Sequence, residues 1–204
     1  QIACFDTAFH ATQPLLHTTF ALPKSMRDRG VRRYGFHGLS YQSIAERLPA
    51  IAGERANGRV IIAHLGNGAS VCGMRERRSL RTSMGMSALD GLVMGSRPGS
   101  IDVGVALYAL STLGMTVDQL SHLLYSESGL LGLSGISNDV RTLLASPDPL
   151  AALALELFCE RAAQEVAATA VSLGGCDMLV FTAGIGENSP TIRERIARRL
   201  SLLG

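Results

Sequence analysis

The sequence predicts an α/β fold, and three stretches carry that prediction. The apolar run Val60-Ile-Ile-Ala63 enters a turn at Gly66, Asn67 and Gly68 and is followed at once by a second apolar run. β-Branched residues favour strands and Asn-Gly offers the positive φ of a tight turn, so this reads as a β-hairpin. Later, Asp177-Met-Leu-Val-Phe-Thr182 reads as a buried strand running into a turn, Gly184-Ile-Gly-Glu-Asn188. Ser189 and Pro190 follow, an N-cap with proline at the first helical position. Between the two, residues 150–173 form one long helical pattern, apolar over so much of its surface that burial on more than one side is expected. Gly174-Gly175 stops it.

Composition narrows the partners. The 204 residues are 47% hydrophobic and 18% charged, a globular balance. A net charge of +2 gives no reason to expect nucleic acid or an anionic membrane. The basic clusters at 75–81 and 193–199 read as solvated faces rather than binding stripes. No run of about 18 apolar residues occurs, so no membrane span is predicted. The four cysteines show no C-x-x-C pair, which fits reduced thiols in a cytoplasmic protein. Cys72 and Cys159 lie in apolar patterns and read as packing residues. The first residue is Gln, residues 2–5 resemble a strand already under way, and the last residues end a helix. The chain is therefore read as a fragment of something larger.

In order along the chain, Asp6 follows residues 2–5 at a strand end, a place where carboxylates either do chemistry or cap a turn. Residues 14–30 read as a loop with short helical pieces. Gly35 and Gly38 bracket His37, which suits either an anionic ligand or a loop carbonyl. Ser40 is the expected N-cap of a helix with Ile44, Ala45, Leu48 and Ile51 on its inner face, ended by Gly53 and Asn57-Gly58. At the hairpin tip, two glycines leave room for a phosphate near backbone N–H groups, with His64 and Asn67 at the lip. A plain solvent-facing tip is the competing reading. Residues 75–78 read as a charged turn and residues 79–82 as a returning strand. Arg97 is held between Gly95 and Pro98-Gly99, a fixed address for a guanidinium.

Residues 104–113 read as a short helix. Thr116-Val-Asp-Gln119 is a capping box for the next, with Leu120, Leu123 and Leu124 facing inward. Residues 129–135 read as a glycine-spaced linker or loop. Asp139 and Arg141 either cap the following helix or contact a ligand. Ile192, Ile196, Leu200 and Leu203 mark the inner face of the last helix. Strand, glycine turn and helix N-terminus together make an anion- or nucleotide-binding corner. No Walker A pattern, complete G-x-G-x-x-G or protein-kinase signature occurs.

Taken together the motifs resemble those of the acetate kinase family. They are Phe-Asp-Thr-Ala-Phe-His, Arg-Tyr-Gly-Phe-His-Gly, His-Leu-Gly-Asn-Gly-Ala-Ser, Thr-Ser-Met-Gly, Met-Gly-x-Arg, Ser-Gly-Leu-Leu-Gly-x-Ser-Gly and Phe-Thr-Ala-Gly-Ile-Gly-Glu-Asn-Ser, in the family's order from residue 1 to about residue 200. The resemblance implies a ribonuclease H-like domain of the acetate kinase, sugar kinase, Hsc70 and actin superfamily, a mixed sheet flanked by helices, truncated here at both ends. Residues 1–9 would end the N-terminal domain and residues 10–204 would form an incomplete C-terminal nucleotide-binding and catalytic domain.

The implied activity is reversible transfer of the ATP γ-phosphoryl group to acetate, giving acetyl phosphate and ADP, with Mg²⁺. Propionate kinases share the motifs, and a non-catalytic nucleotide-binding protein of the superfamily is the other reading. By position in the motifs, Asp6, His37 and Arg97 are the implied catalytic residues. His64, Leu65, Gly66, Asn67 and Gly68 match the phosphate-facing loop. Asp139, Val140 and Arg141, with Gly184, Ile185, Gly186, Glu187 and Asn188, match adenosine-side contacts. Acetate has a pKa of about 4 to 5 and is already a nucleophile at neutral pH, so no general base is needed. Asp6 is therefore expected to act through Mg²⁺, by way of bound water, or to orient the attacking oxygen.

Leu39, Tyr41, Arg81 and Ser100 depart from the family pattern, standing where Thr, His, an acid and Asp are common. None removes a proposed catalytic group. The resemblance further implies a homodimer, for which helices 104–124 and 150–173 are the candidate surface, and inactivity of this fragment by itself.

Overall fold

The computed structural model describes residues 2–203. Its frame is one four-stranded mixed sheet in the order β3-β2-β1-β4. Strand β1 is Val60–Leu65, β2 Ala69–Arg75, β3 Arg78–Thr82 and β4 Met178–Thr182. β1 and β2 are antiparallel with Leu65 opposite Ala69, as the hairpin reading requires. β4 lies parallel to β1 on the outer edge, with Val60 opposite Met178.

A parallel pair needs a crossover. All the helices between residues 83 and 177 supply it: α4 Val103–Ser111, α5 Val117–Ser126, α6 Gly129–Ser134, α7 Val140–Ala145 and α8 Pro149–Leu173. Before the sheet come two single turns, α1 Leu15–Thr18 and α2 Lys24–Arg27, and then α3 Gly38–Ala52. After β4 come α9 Ala183–Asn188 and α10 Pro190–Arg199.

The near-continuous apolar run of β1 is explained by burial on both faces. Ile61, Ala63 and Leu65 join Val71 and the inner face of α8 in one core cluster. Val60 and Ile62, with Cys72 and Met74, pack against Tyr41, Ala45 and Leu48 of α3. Helix α8 crosses β2 so closely that a Cβ at Gly73 would meet Thr169 Cγ2 at 2.5 Å.

Several expectations need correction. Residues 2–5 form no strand: Ile2 and Phe5 are exposed, and no neighbouring strand accepts their hydrogen bonds. Helix α3 starts at Gly38, so Ser40 lies within its first turn rather than at its cap. Its buried stripe is Tyr41, Ala45 and Leu48, while Ile51 is 78% exposed. None of Gly66, Asn67 and Gly68 takes a positive φ. That conformation occurs instead at Glu76 (52°) and Arg77 (61°) in the β2–β3 turn.

Residues 129–134 are helical rather than a linker, because the amides of Leu130 and Leu131 donate to Met94 O and Gly95 O and anchor the first turn. Residues 183–188 likewise form a helix, with Glu187 Oε1 accepting from Ala183 N at 3.1 Å. β4 is half-buried over most of its length because it lies at the sheet edge. α8 buries one broad face, leaving Leu150, Leu153 and Val171 exposed. Leu203 falls outside α10 and is partly exposed.

Both basic clusters hold ion pairs rather than forming free stripes. Arg81 meets Glu165 of α8, and Arg195 and Arg199 of α10 meet Glu156. The capping box at Thr116 and Gln119 forms as expected. Among the described residues no helix is long and apolar enough to cross a membrane.

Candidate active site

The site is assembled around the entrance of α3. His37 occupies the N-cap position in the left-handed region, with φ 58° and ψ 22°. Asp6 holds it there. One carboxylate oxygen accepts from His37 N at 2.6 Å, the other from Leu39 N at 3.2 Å, and Asp6 O accepts from Gly38 N at 3.0 Å. Asp6 is thus a cap supplied from elsewhere in the chain, its negative charge at the positive end of the helix. Ser40, released from capping, bonds His64 Nδ1 at 2.9 Å.

The His37 and His64 rings stack at 4.2 Å with 18° between planes. His37 Nδ1 meets Ser70 Oγ at 2.8 Å. On the other side lies Arg97, whose Nη1 donates to Ala88 O at 2.8 Å. No ion pair holds this guanidinium among the described residues. Gly68 explains how the two approach. A Cβ there would stand 2.8 Å from Arg97 Nη2 and 2.9 Å from His37 Nε2, so a missing side chain opens the space that both groups face.

The Arg97 loop is fastened on two sides. Gly95 N donates to Asn67 O at the hairpin tip, and Met94 O and Gly95 O accept from the first turn of α6.

The electrostatics follow from burial. Desolvation, aided by the neighbouring His64 and Arg97 and opposed by Asp6, lowers the His37 pKa to about 4. Burial also lowers His64, against the opposing pull of Asp6 and Glu187. Both rings are therefore uncharged at neutral pH, and Arg97 is the cation facing the gap, although its own pKa is lowered by burial.

Beyond the hairpin tip opens a cleft of about 530 Å³. Eight of the thirteen residues expected on the nucleotide side line it: Gly66, Asn67, Asp139, Val140, Arg141, Gly184, Ile185 and Asn188. The other five do not. Leu65 is wholly buried in the core, and Gly186 packs against the Phe181 backbone. Glu187 is turned back to Thr182 Oγ1 and Ala183 N. His64 and Gly68 belong to the His37 side of the hairpin.

Asp139 caps α7 by accepting from Arg141 N at 2.8 Å, and it also pairs with the Arg141 side chain. That guanidinium, the backbone amide adding to it, pulls the Asp139 pKa down to about 2. Two lining residues were missed from sequence, Asn138 and Ser189. Asn138 Nδ2 reaches Asn67 Oδ1 at 3.4 Å, and Ser189 caps α10. Their positions beside Asp139 and Asn188 were the available signal.

Asp6, His37 and Arg97 therefore lie together, and the loop 66–68 joins them to the cleft. Such a place offers a guanidinium, an imidazole and a helix-end carboxylate around one opening, next to a nucleotide-sized hollow.

The acetokinase family model matches residues 1–204. The chain is 58% identical over 205 residues to the acetate kinase of Rhodopseudomonas palustris strain TIE-1, covering all of this chain and 52% of that protein. The crystal structure of Porphyromonas gingivalis acetate kinase superposes with a TM-score of 0.94 at 39% identity, covering 98% of this chain and 51% of that one. A propionate kinase from Francisella tularensis superposes at 0.92 with 42% identity, covering 98% and 53%. The chain thus spans about half the length of the relatives it matches. A full-length family match, close relatives and a superposable fold together establish that this chain belongs to the acetokinase family.

Proposed function

We propose that the whole protein transfers the γ-phosphoryl group of ATP to acetate, giving acetyl phosphate and ADP, and that the reaction runs in both directions. The observation that carries this reading is the pairing of Arg97 Nη2 and His37 Nε2 across the gap above Gly68, at the end of a nucleotide-sized cleft. Residues 10–204 are the nucleotide-binding and catalytic domain in this reading, and residues 1–9 the end of a preceding one.

ATP lies in the cleft with its adenosine toward Asp139–Arg141 and Gly184–Asn188 and its phosphates toward the hairpin tip. An acetate oxygen attacks the γ-phosphorus and the bond to the β-bridging oxygen breaks, leaving ADP. No proton needs to be removed, because the acid is already ionised. Arg97 and His37 donate to the equatorial oxygens, where transition-state charge collects.

Mg²⁺ supplies charge neutralisation on the phosphates when bound. Asp6 is the chain's carboxylate beside the gap, and one or two carboxylates with substrate phosphates and water are the usual setting for that ion. Each Asp6 oxygen holds one backbone amide and keeps a free lone pair, which suits contact through water. An Asp6→Asn variant with an unaltered Mg²⁺ dependence of turnover would overturn this role. We place the protein in the cytoplasm, with which its free cysteines agree. We infer a homodimer whose contact includes the exposed apolar side chains of α4.

The test is a hydroxamate assay for acyl phosphate on the full-length protein with acetate, propionate and butyrate. Acetyl phosphate formation with acetate preferred is expected, and the 204-residue chain by itself is expected to be inactive. Product with propionate preferred would move the protein to the propionate kinases. No product with any acid would leave a nucleotide-binding protein without an acyl acceptor.

A further inference from the structure

His37 can meet an anion only through Nε2, because Nδ1 is already engaged with Ser70 Oγ. Which nitrogen carries the proton decides whether the ring attracts or repels a phosphoryl oxygen. The deciding group lies behind Ser70. Ser70 is wholly buried on β2, directly opposite His64, and its hydroxyl touches Tyr41 Oη. Tyr41 is itself 0% exposed. Among the described residues its hydroxyl has Ser70 as its hydrogen-bond partner and no other.

That dead end sets the direction of the chain. A phenol hydrogen with one neighbour goes to that neighbour or is stranded in a dry interior, which costs the desolvation of an unmet donor. Tyr41 therefore donates to Ser70 Oγ. Ser70 turns its own hydrogen to His37 Nδ1, its remaining partner. A nitrogen that accepts carries no proton, so the proton stays on Nε2. The reverse order, from Nδ1–H through Ser70 to Tyr41, ends on a buried hydrogen with no acceptor. Burial also pushes the Tyr41 ionisation well above its ordinary value, which keeps the donor present.

We propose that Tyr41 and Ser70 form a positioning relay that locks His37 in its Nε2–H tautomer, so that the ring presents a donor beside Arg97. The two donors then face the same space above Gly68. The purpose of the relay rests on the phosphoryl-transfer reading, while the tautomer is a property of the folded chain without substrate. Tyr41 also stands where the family pattern leads one to expect His, so the relay belongs to this chain's own residues.

The test is nitrogen NMR of full-length protein carrying ¹⁵N-histidine, with the His37 signals assigned by their loss in His37→Asn. The wild type is expected to show protonated Nε2 and bare Nδ1. Tyr41→Phe keeps the ring and removes only the hydroxyl, freeing Ser70 to accept. The ratio of the two tautomers is expected to fall about two- to tenfold, the worth of one modest hydrogen bond. A protonated Nδ1 in the wild type overturns the relay without any variant, and so does an unchanged ratio in a folded Tyr41→Phe. If no acyl phosphate is ever made while the tautomer still depends on Tyr41, the kinase reading falls and the relay stands.

Discussion

Gly68 is where one missing side chain does most for the site. It has no positive φ to justify glycine, so its role is space. In Gly68→Ala the new methyl would press on Arg97 Nη2, the free end of a flexible chain, and on His37 Nε2, which Ser70 and the His64 stack hold still. The Arg97 end can swing aside, but the held His37 ring must shift, and the anion position is lost with it. On the proposed reaction, the expected result in the full-length protein is a fall in kcat of about 100-fold, the scale of losing one well-placed donor. Melting temperature should fall by no more than about 4 °C, because Arg97 can move aside and only the His37 ring must shift. A kcat within twofold of wild type would show that the gap is not where charge collects.

His37 makes a second residue-scale prediction. Its folded pKa is depressed to about 4, mainly by burial, against 6.5 in the unfolded chain. The unfolded state therefore takes up this proton first. The stability contribution is whole above about pH 6.5 and is lost as the pH falls toward 4. His10 and His64 shift the same way, also by burial, so one substitution removes only part of the effect. His37→Asn, which tolerates the left-handed backbone, should narrow the gap in urea-unfolding stability between pH 7 and pH 4.5 by on the order of 1–2 kcal/mol. An unchanged gap would refute the burial account.

The elements show where local pattern and tertiary contact part company. The β2–β3 turn places Glu76 and Arg77, neither of them glycine, both in the left-handed region. Such residues pay a steric cost there, and Asn-Gly is the pair that avoids it. Replacing Glu76-Arg77 by Asn-Gly should stabilise the protein by about 1 kcal/mol, a rise of about 2–4 °C in melting temperature. A lower melting temperature would mean that these two side chains hold something the backbone angles do not reveal.

The Thr116 capping box, the Ser189-Pro190 start and the Gly174 stop of α8 were legible in sequence because each is a bargain between neighbours within four residues. The helices at 129–134 and 183–188 were not. Their glycines disfavour helix locally, and what tips them is an anchor from outside or a side chain folding back. α6 is held by the Met94 and Gly95 carbonyls, and α9 by Glu187 reaching its own N-terminus. Ile51 misled for a related reason. The face that packs on the sheet runs through Tyr41, Ala45, Leu48 and Ala52, and Ile51 stands beside that stripe, exposed.

At the scale of the whole molecule, the sheet divides two apolar clusters, and the exposed apolar surface concentrates outside both. On α4, Val103, Val105, Leu107 and Tyr108 are each more than half exposed. Val103 and Leu107, one turn apart on the same face, are the side chains the proposed dimer would cover there. Leu107→Glu combined with Val103→Glu in the full-length protein should halve the mass seen in sedimentation velocity while far-UV circular dichroism stays constant. A mass unaltered by both charges would remove α4 from the proposed dimer contact.

The α/β class, the hairpin, the long helix with its stop, and family membership through motif order all follow from the order of amino acids alone. Those are carried by propensity, periodicity and local caps, which act over a few residues. Folding was needed to reveal that Asp6 caps a helix beginning 32 positions later in the chain, that Ser40 serves His64 rather than its own helix, and that Arg97 and His37 share the space left by Gly68. Each of those depends on hydrogen bonds or close approach between residues tens of positions apart. Such contacts leave no periodic trace in a sequence, because chain separation says nothing about which backbone amide a carboxylate will find once the sheet and α3 have packed.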